Sequence, residues 1–171
     1  MGINPRDIFI KDNLAYITDS KNTQVVILNK MTGEQVAIVG RRAKSLVNIT
    51  ENEPGDFGIV SDLAVDPDGN IYVSDMVRSQ VMKYDRDGNF LRTYSGPGNT
   101  EANLIRPKGI ALDRANRIWV ADCGPAEAVK IFNQEGQYLM FFGQHGKEPG
   151  KMFMPTKVII DYDHTEQFKK Y

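Results

Sequence analysis

Three stretches of this chain repeat one another in phase. They are Asp7-Ile-Phe-Ile-Lys-Asp-Asn-Leu-Ala-Tyr-Ile-Thr-Asp19, Asp62-Leu-Ala-Val-Asp-Pro-Asp-Gly-Asn-Ile-Tyr-Val-Ser-Asp75 and Gly109-Ile-Ala-Leu-Asp-Arg-Ala-Asn-Arg-Ile-Trp-Val-Ala-Asp122. A fourth, Thr156-Lys-Val-Ile-Ile-Asp-Tyr-Asp163, begins the same phrase and stops. Repetition of this kind constrains the fold closely, because a short unit cannot bury its apolar face alone and must stack on its neighbours. The closing aspartates Asp19, Asp75 and Asp122 stand 56 and 47 residues apart. The nearest repeat length is that of a four-stranded propeller blade, about 40–45 residues, with a longer loop after the first unit.

Within each unit the pattern predicts four short strands. They are 7–11, 14–18, 24–28 and 35–39 in the first, 62–66, 70–74, 80–84 and 90–94 in the second, and 109–113, 117–121, 128–132 and 138–142 in the third. The runs are rich in Val, Ile, Phe and Tyr, and many alternate apolar with polar residues, as half-buried strands do. Turn signals separate them: Thr32-Gly33, Asp68-Gly69-Asn70, Asp87-Gly88-Asn89 and Glu135-Gly136. No segment carries a helical stripe. First strands use small or branched residues, such as Leu63-Ala64-Val65, which suits the crowded axis; later strands carry bulk, such as Tyr138-Leu-Met-Phe-Phe142. Phe57, Leu104 and Phe153 are expected to plug the junctions between blades, and Trp119 to lie in inter-blade core. The expected fold is all-β: blade units over 5–56, 57–103 and 104–150, the first strand of a fourth over 151–163, and an incomplete propeller ring.

At 171 residues, 41% apolar and 25% charged, the chain has the composition of a folded domain with a real core. Its formal net charge of −1 provides no whole-molecule attraction to nucleic acid or anionic lipid. Cys123 is the single cysteine, so an intrachain disulfide and CxxC chemistry are both excluded, and it is expected to be a small packing residue or a passively exposed thiol. No apolar run approaches the roughly 20 residues that cross a bilayer. The first residues lack a signal-peptide core, which points to the cytosol or to a targeting segment outside this sequence.

The phrase Arg106-Pro-Lys-Gly-Ile-Ala-Leu-Asp113, followed by Arg117-Ile-Trp-Val-Ala-Asp122, Ala128-Val-Lys-Ile-Phe-Asn133 and Gly136, closely resembles an NHL repeat. The second unit matches as well, through Asp62 to Asp75, Gln80-Val-Met-Lys-Tyr-Asp85 and Asp87-Gly88. The first is less regular, with Lys11 where an acidic residue usually stands. The likeness spans residues 5–163 and implies a propeller, commonly of six blades. Three blades and one inner strand do not close such a ring, so the remaining blades of the same protein or another copy are expected partners. The tract Pro155-Thr-Lys-Val-Ile-Ile-Asp-Tyr-Asp163 with Phe168-Lys-Lys-Tyr171 is similar to bacterial NHL proteins associated with multihaem cytochromes. That likeness implies a periplasmic or extracellular protein and a multihaem cytochrome as partner. The chain itself has no CxxCH for covalent haem.

Several residues are candidates for chemistry. Asp19, Asp75 and Asp122 fall at one register position and would form a carboxylate ring for a metal or basic ligand, or accept hydrogen bonds from the turns that follow them. Their repetition in every unit favours the second role. Asp66-Pro-Asp-Gly-Asn70 lacks the ligand spacing of a calcium loop and reads as a hairpin turn. Arg6, Arg106 and Lys108 flank the first strands and would line the mouth of a central channel, for an anionic ligand or a partner's carboxylates. Arg78 is a further ligand or partner candidate, expected on the same face near Asp75, where a simple ion pair is the favoured role. Arg41, Arg42 and Lys44 form the one compact basic cluster, an RNA-binding alternative weakened by the absence of interleaved aromatics. His145 and His164 have no second histidine at metal-ligand spacing.

These readings favour a non-enzymatic NHL propeller scaffold for protein–protein interaction, needing no cofactor. The alternative is a metal-dependent hydrolase or lyase, with Ca²⁺ or Zn²⁺ held in the central channel of a complete propeller. RNA binding is the second alternative.

Overall fold

The computed structural model describes residues 2–47, 52–95, 98 and 100–162. His164 and the tract 168–171 lie outside them. Three four-stranded antiparallel sheets follow one another along the chain. The first contains β1 (Pro5–Lys11), β2 (Leu14–Asp19), β3 (Gln24–Asn29) and β4 (Gln35–Val39). A two-residue parallel pair, β5 (Arg41–Arg42) and β6 (Asp56–Phe57), leads into the second sheet. That sheet contains β7 (Val60–Val65), β8 (Ile71–Asp75), β9 (Gln80–Tyr84) and β10 (Phe90–Tyr94); the third contains β11 (Pro107–Leu112), β12 (Ile118–Asp122), β13 (Ala128–Phe132) and β14 (Tyr138–Phe142). Each sheet keeps sequence order from inner to outer edge, and the inner strands β1, β7 and β11 lie beside one another. These are propeller-type blades arranged about an axis. Among the described residues they form an arc, not a closed ring.

The middle blade shows how the arc is held. Successive residues of a strand point to opposite faces. Thus Leu63, Val65, Ile71 and Val73 enter the first junction, against Tyr16, Val25, Ile27 and Val39. Their neighbours Ala64 and Tyr72 enter the second, with Val81 and Tyr94, against Leu104, Ile110, Leu112, Ile118 and Phe132. A blade buried on both faces needs nearly continuous apolar strands, and β8 is buried at all five positions.

Phe57 and Leu104 fill the two junctions and are fully buried. The Phe57 ring lies 5.4 Å from that of Tyr84, whose hydroxyl donates to the carbonyl of Gly55. It fits because Gly40 has no side chain: a Cβ there would lie 2.0 Å from the ring, at a φ of +74°. Phe153, expected in the same role, is 59% exposed and rests beside His145 and Lys147. Trp119, expected in inter-blade core, is half-buried on the far face of the third blade, edge-on to Phe142 at 5.7 Å. Its indole N–H donates to Asp113 at 2.9 Å. Both departures have one cause: no further sheet packs on that face among the described residues.

The expected fourth inner strand runs as unpaired chain over 155–161, since no described strand lies where its ladder would form. It nevertheless packs closely on β11. A Cβ on Gly109 would sit 2.6 Å from the Lys157 Cα, so only glycine admits this approach.

If the junction plugs carry blade packing, Phe57→Ala will cost about 3–5 kcal/mol in urea unfolding. Phe153→Ala will cost less than about 1 kcal/mol, because little burial is lost. Equal losses at the two sites would contradict this packing.

Candidate axial site

Each inner strand carries a β-bulge at one position. The register shifts between Pro5 and Asp7, between Val60 and Asp62, and between Pro107 and Ile110. A bulge leaves a residue outside the ladder and re-aims its side chain. The residues so released include Arg6, Ser61 and Lys108, and Thr156 holds the same repeat position in the fourth unit. With Asp7, Asp62 and Lys157, these four line a single polar cleft of about 270 Å³ at one end of the axis. An apolar cavity of about 290 Å³ adjoins it along the axis, lined by inner-strand residues such as Phe9, Val65 and Leu112, and shares Asp7 and Lys157 with the cleft.

The floor of the cleft is a charged bridge. The Lys157 ammonium donates to Asp62 Oδ1 at 2.7 Å and to Asp7 Oδ1 at 3.0 Å, so the fourth unit is tied to the first two. Asp62 also accepts from the backbone N–H of Ile110 and of Leu63, each at 2.9 Å. Thr18 Oγ1 accepts from the N–H of Asp7 at 2.8 Å, and Ser74 Oγ donates to the carbonyl of Lys108 at 2.6 Å, so second-strand hydroxyls brace the bulges.

The two carboxyls behave differently. Burial, reinforced by a hydrogen bond with Asp7, pushes Asp62 up to about 7 despite Lys157. Burial also acts on Asp7, but the hydrogen bond with Asp62 and the Lys157 ammonium outweigh it and hold Asp7 below 3.8. For Lys157, burial is outweighed by the two carboxyls, which raise its pKa above 10.5. Of the two carboxyls, Asp62 therefore gives up its proton well after Asp7 as pH rises.

Ser61 Oγ is buried without any hydrogen-bond partner, which makes it the exception among the described buried polar side-chain atoms. Arg6 is exposed and Lys108 half-buried. Neither has a carboxylate within ion-pair distance among the described residues.

The repeated aspartates lie elsewhere and do something different. Asp19 accepts from the N–H groups of Asn4, Lys21 and Asn22, at 3.0, 3.1 and 3.3 Å. Asp75 accepts from Gly58, Ile59, Val77 and Arg78, and Asp122 from Ile105, Arg106 and Gly124. Each carboxylate joins the segment entering its first strand to the turn leaving its second. Burial pushes the Asp19 carboxyl up, but its N–H donors prevail and hold it below 3.8; at Asp75 burial prevails and raises it.

The remaining candidates are scattered. Arg78 donates to the carbonyl of Asp56, and Arg106 is exposed beside Asp122, outside the cleft. Arg41 pairs through Nε with Asp56 at 2.5 Å, closing the β5–β6 pair, while Arg42 and Lys44 are exposed. The basic cluster is thus divided by a structural ion pair that no periodicity announced, since its acid lies 15 residues away. Cys123 is buried. His145 pairs with Glu127 at 2.7 Å, away from the axis. Among the described residues no three His, Cys, Asp or Glu side chains converge as metal ligands, so the donor set expected for Ca²⁺ or Zn²⁺ is not assembled within them. Ser61, Asp7, Asp62 and Lys157 were missed by sequence reasoning. The available signal was the change of residue type at one repeat position: Asp7, Asp62, Gly109, Lys157.

Blades of this form with a polar axial mouth belong to the β-propeller class of architectures. No protein-family model matches the chain. It is similar to NHL repeat-containing protein 3 of Homo sapiens, 27% identical over 111 residues, covering 63% of this chain and 31% of that protein. It is also similar to Protein brain tumor of Drosophila melanogaster, 28% identical over 97 residues, covering 52% of this chain and 9% of that one. The chain therefore spans less than a third of either curated relative. Among solved structures, hydrazine synthase of Kuenenia stuttgartiensis superposes with a TM-score of 0.68 at 16% identity, over 93% of this chain and 39% of that one. Virginiamycin B lyase of Staphylococcus aureus, catalytically inactive and with quinupristin, superposes at 0.63 and 17% identity, over 91% and 45%. These likenesses establish the shared fold.

The Asp62 proton has a consequence for stability. A carboxyl that binds its proton more tightly when folded stabilises the fold fully below 3.8, and that contribution is lost as pH rises to about 7. Asp75, also raised, adds to the same slope; Asp7 and Asp19, both lowered, lose their contribution only as pH falls below 3.8. Denaturant unfolding of Asp62→Asn across this range will show a flatter pH dependence than the parent chain. An unchanged slope would remove Asp62 as its source.

Proposed function

We propose that this chain supplies an axial binding site to a propeller protein, with the bulge residues Arg6, Ser61 and Lys108, joined by Thr156, as the recognition ring. One observation carries the reading: each of the three complete units delivers a side chain released from its ladder to the same polar cleft, where Thr156 of the fourth joins them, while the residues that repeat identically fix the path of the chain within each blade. Recognition residues on a repeat scaffold should differ between repeats, and these do. The all-β propeller-like scaffold is itself capable of protein interaction. Its rim can serve a partner as the cleft serves a ligand, and a multihaem cytochrome of an exported assembly is the partner proposed by the tract 155–163 with 168–171.

A second reading is favoured by Asp62 and Asp7. An acid whose pKa is raised beside one whose pKa is lowered, bridged by an ammonium, is an arrangement from which general acid–base chemistry can be run. It would make the site that of a hydrolase or lyase, as the superposition on a lyase fold also encourages. Under this reading Asp62 donates a proton to a leaving group, Asp7 accepts one, and Lys157 holds the two in register.

The site is tested by amide NMR of the full chain against a panel of anionic, neutral and cationic small molecules. Shifts are expected to concentrate on residues 6–7, 61–62, 108–109 and 156–157. Hits confined to other surfaces, or shifts around Arg41 and Arg42 with RNA, would overturn the proposal. For any compound that is turned over, Asp62→Asn and Asp7→Asn will each abolish turnover while leaving binding within about tenfold; retained turnover rejects the acid–base reading.

A further inference from the structure

Resting on the axial-site reading, we infer that the ring selects a small ligand bearing an oxyanion, a carboxylate or a phosphate, held between Arg6 and Lys108 with Ser61 donating to one of its oxygens. Three features point the same way. First, the cleft holds three cations, Arg6, Lys108 and Lys157, against at most two negative charges, on Asp7 and Asp62. Both carboxylates are engaged by Lys157, which leaves Arg6 and Lys108 as the charges at the rim without a counter-charge among the described residues.

Second, the Ser61 hydroxyl is buried and unpartnered while facing this cleft. Leaving such a group unsatisfied costs free energy that a ligand oxygen accepting its proton would recover. Serine stands here where the other three units have arginine, lysine and threonine, so the ring offers donors from all four positions: a guanidinium fork, an ammonium and two hydroxyls. A planar guanidinium and an ammonium lining one cleft suit an anion with two or three oxygens better than a halide, which cannot use the fork.

Third, the carboxylates cannot rearrange easily to neutralise the rim. Asp62 is fixed by two backbone N–H donors as well as Lys157, and Asp7 by Lys157 and by Thr18 through its own backbone. The rim therefore keeps its positive field, and a neutral or cationic ligand would leave both the field and the hydroxyl unanswered.

The probes are inorganic phosphate and acetate, titrated into the full chain by calorimetry and by amide NMR, with glycerol and choline as neutral and cationic comparators. At least one anion should bind saturably with one equivalent, shifting the amides of residues 6, 61 and 108. Arg6→Gln with Lys108→Gln should weaken it at least tenfold, and Ser61→Ala should weaken it several-fold, each with an unchanged circular dichroism spectrum and melting temperature. Which anion binds more tightly distinguishes a carboxylate from a phosphate ligand. Absence of saturable binding by either anion, or affinity unchanged in the double variant, overturns the inference. If glycerol, choline or another non-anionic compound shifts the cleft residues while both anions fail, the axial site stands and the anion assignment falls. If no compound of the panel reaches the cleft, both fall.

Discussion

A buried carboxylate is costly unless its oxygens are filled with donors, and this fold is assembled around that requirement. Asp19, Asp75 and Asp122 are each removed from solvent at the end of a second strand. Each meets the requirement by taking backbone N–H groups from two separate stretches of chain. The cost of withdrawing any of those donors is what fixes the path of the chain into its inner strand. Once that path is fixed, the bulge, the inward turn of Arg6, Ser61 and Lys108, and the seating of Phe57 and Leu104 follow. Structure and candidate site thus share one cause.

The irregular first unit shows how the pattern tolerates exceptions. Where the other units have Asp66 and Asp113, it has Lys11. Asp66 binds Asn70 and the Tyr72 hydroxyl, and Asp113 binds Arg117 and Trp119, all within their own blades. Lys11 reaches outward and donates to the carbonyls of Asp66 and Pro67, at 2.5 and 2.7 Å. A local turn clasp has become a link between blades, at the same position and with reversed charge.

Much of this was legible in the sequence, and the reasons are specific. Blade-strand positions followed from apolar alternation and from the Asp-Gly turns, and the twelve observed blade strands begin and end within two residues of the expected ones. The roles of Phe57 and Leu104 followed from their spacing before each inner strand. Phe153 shares that spacing but not that fate, because burial depends on a neighbouring sheet as well as on the residue. The β5–β6 pair was invisible: a parallel contact across a long loop leaves no periodic trace. Arg6 and Lys108 were expected at a channel mouth, whereas Asp7, Asp62 and Lys157 were not singled out. Their significance depends on four distant repeat positions converging, and only the packing of inner strands brings them within reach of a single ammonium.

The bulge in each inner strand has a consequence for how such a protein can change. It separates one residue per unit from the ladder above and below it, so that residue answers neither to the pleat nor to the inter-blade core. Arginine, serine and lysine stand there on three otherwise similar units, and threonine holds the matching sequence position in the fourth. The mouth is therefore written in an alphabet of its own, one letter per blade. Its chemistry can be respelled from neutral to charged, or from donor to acceptor, without asking the scaffold to refold.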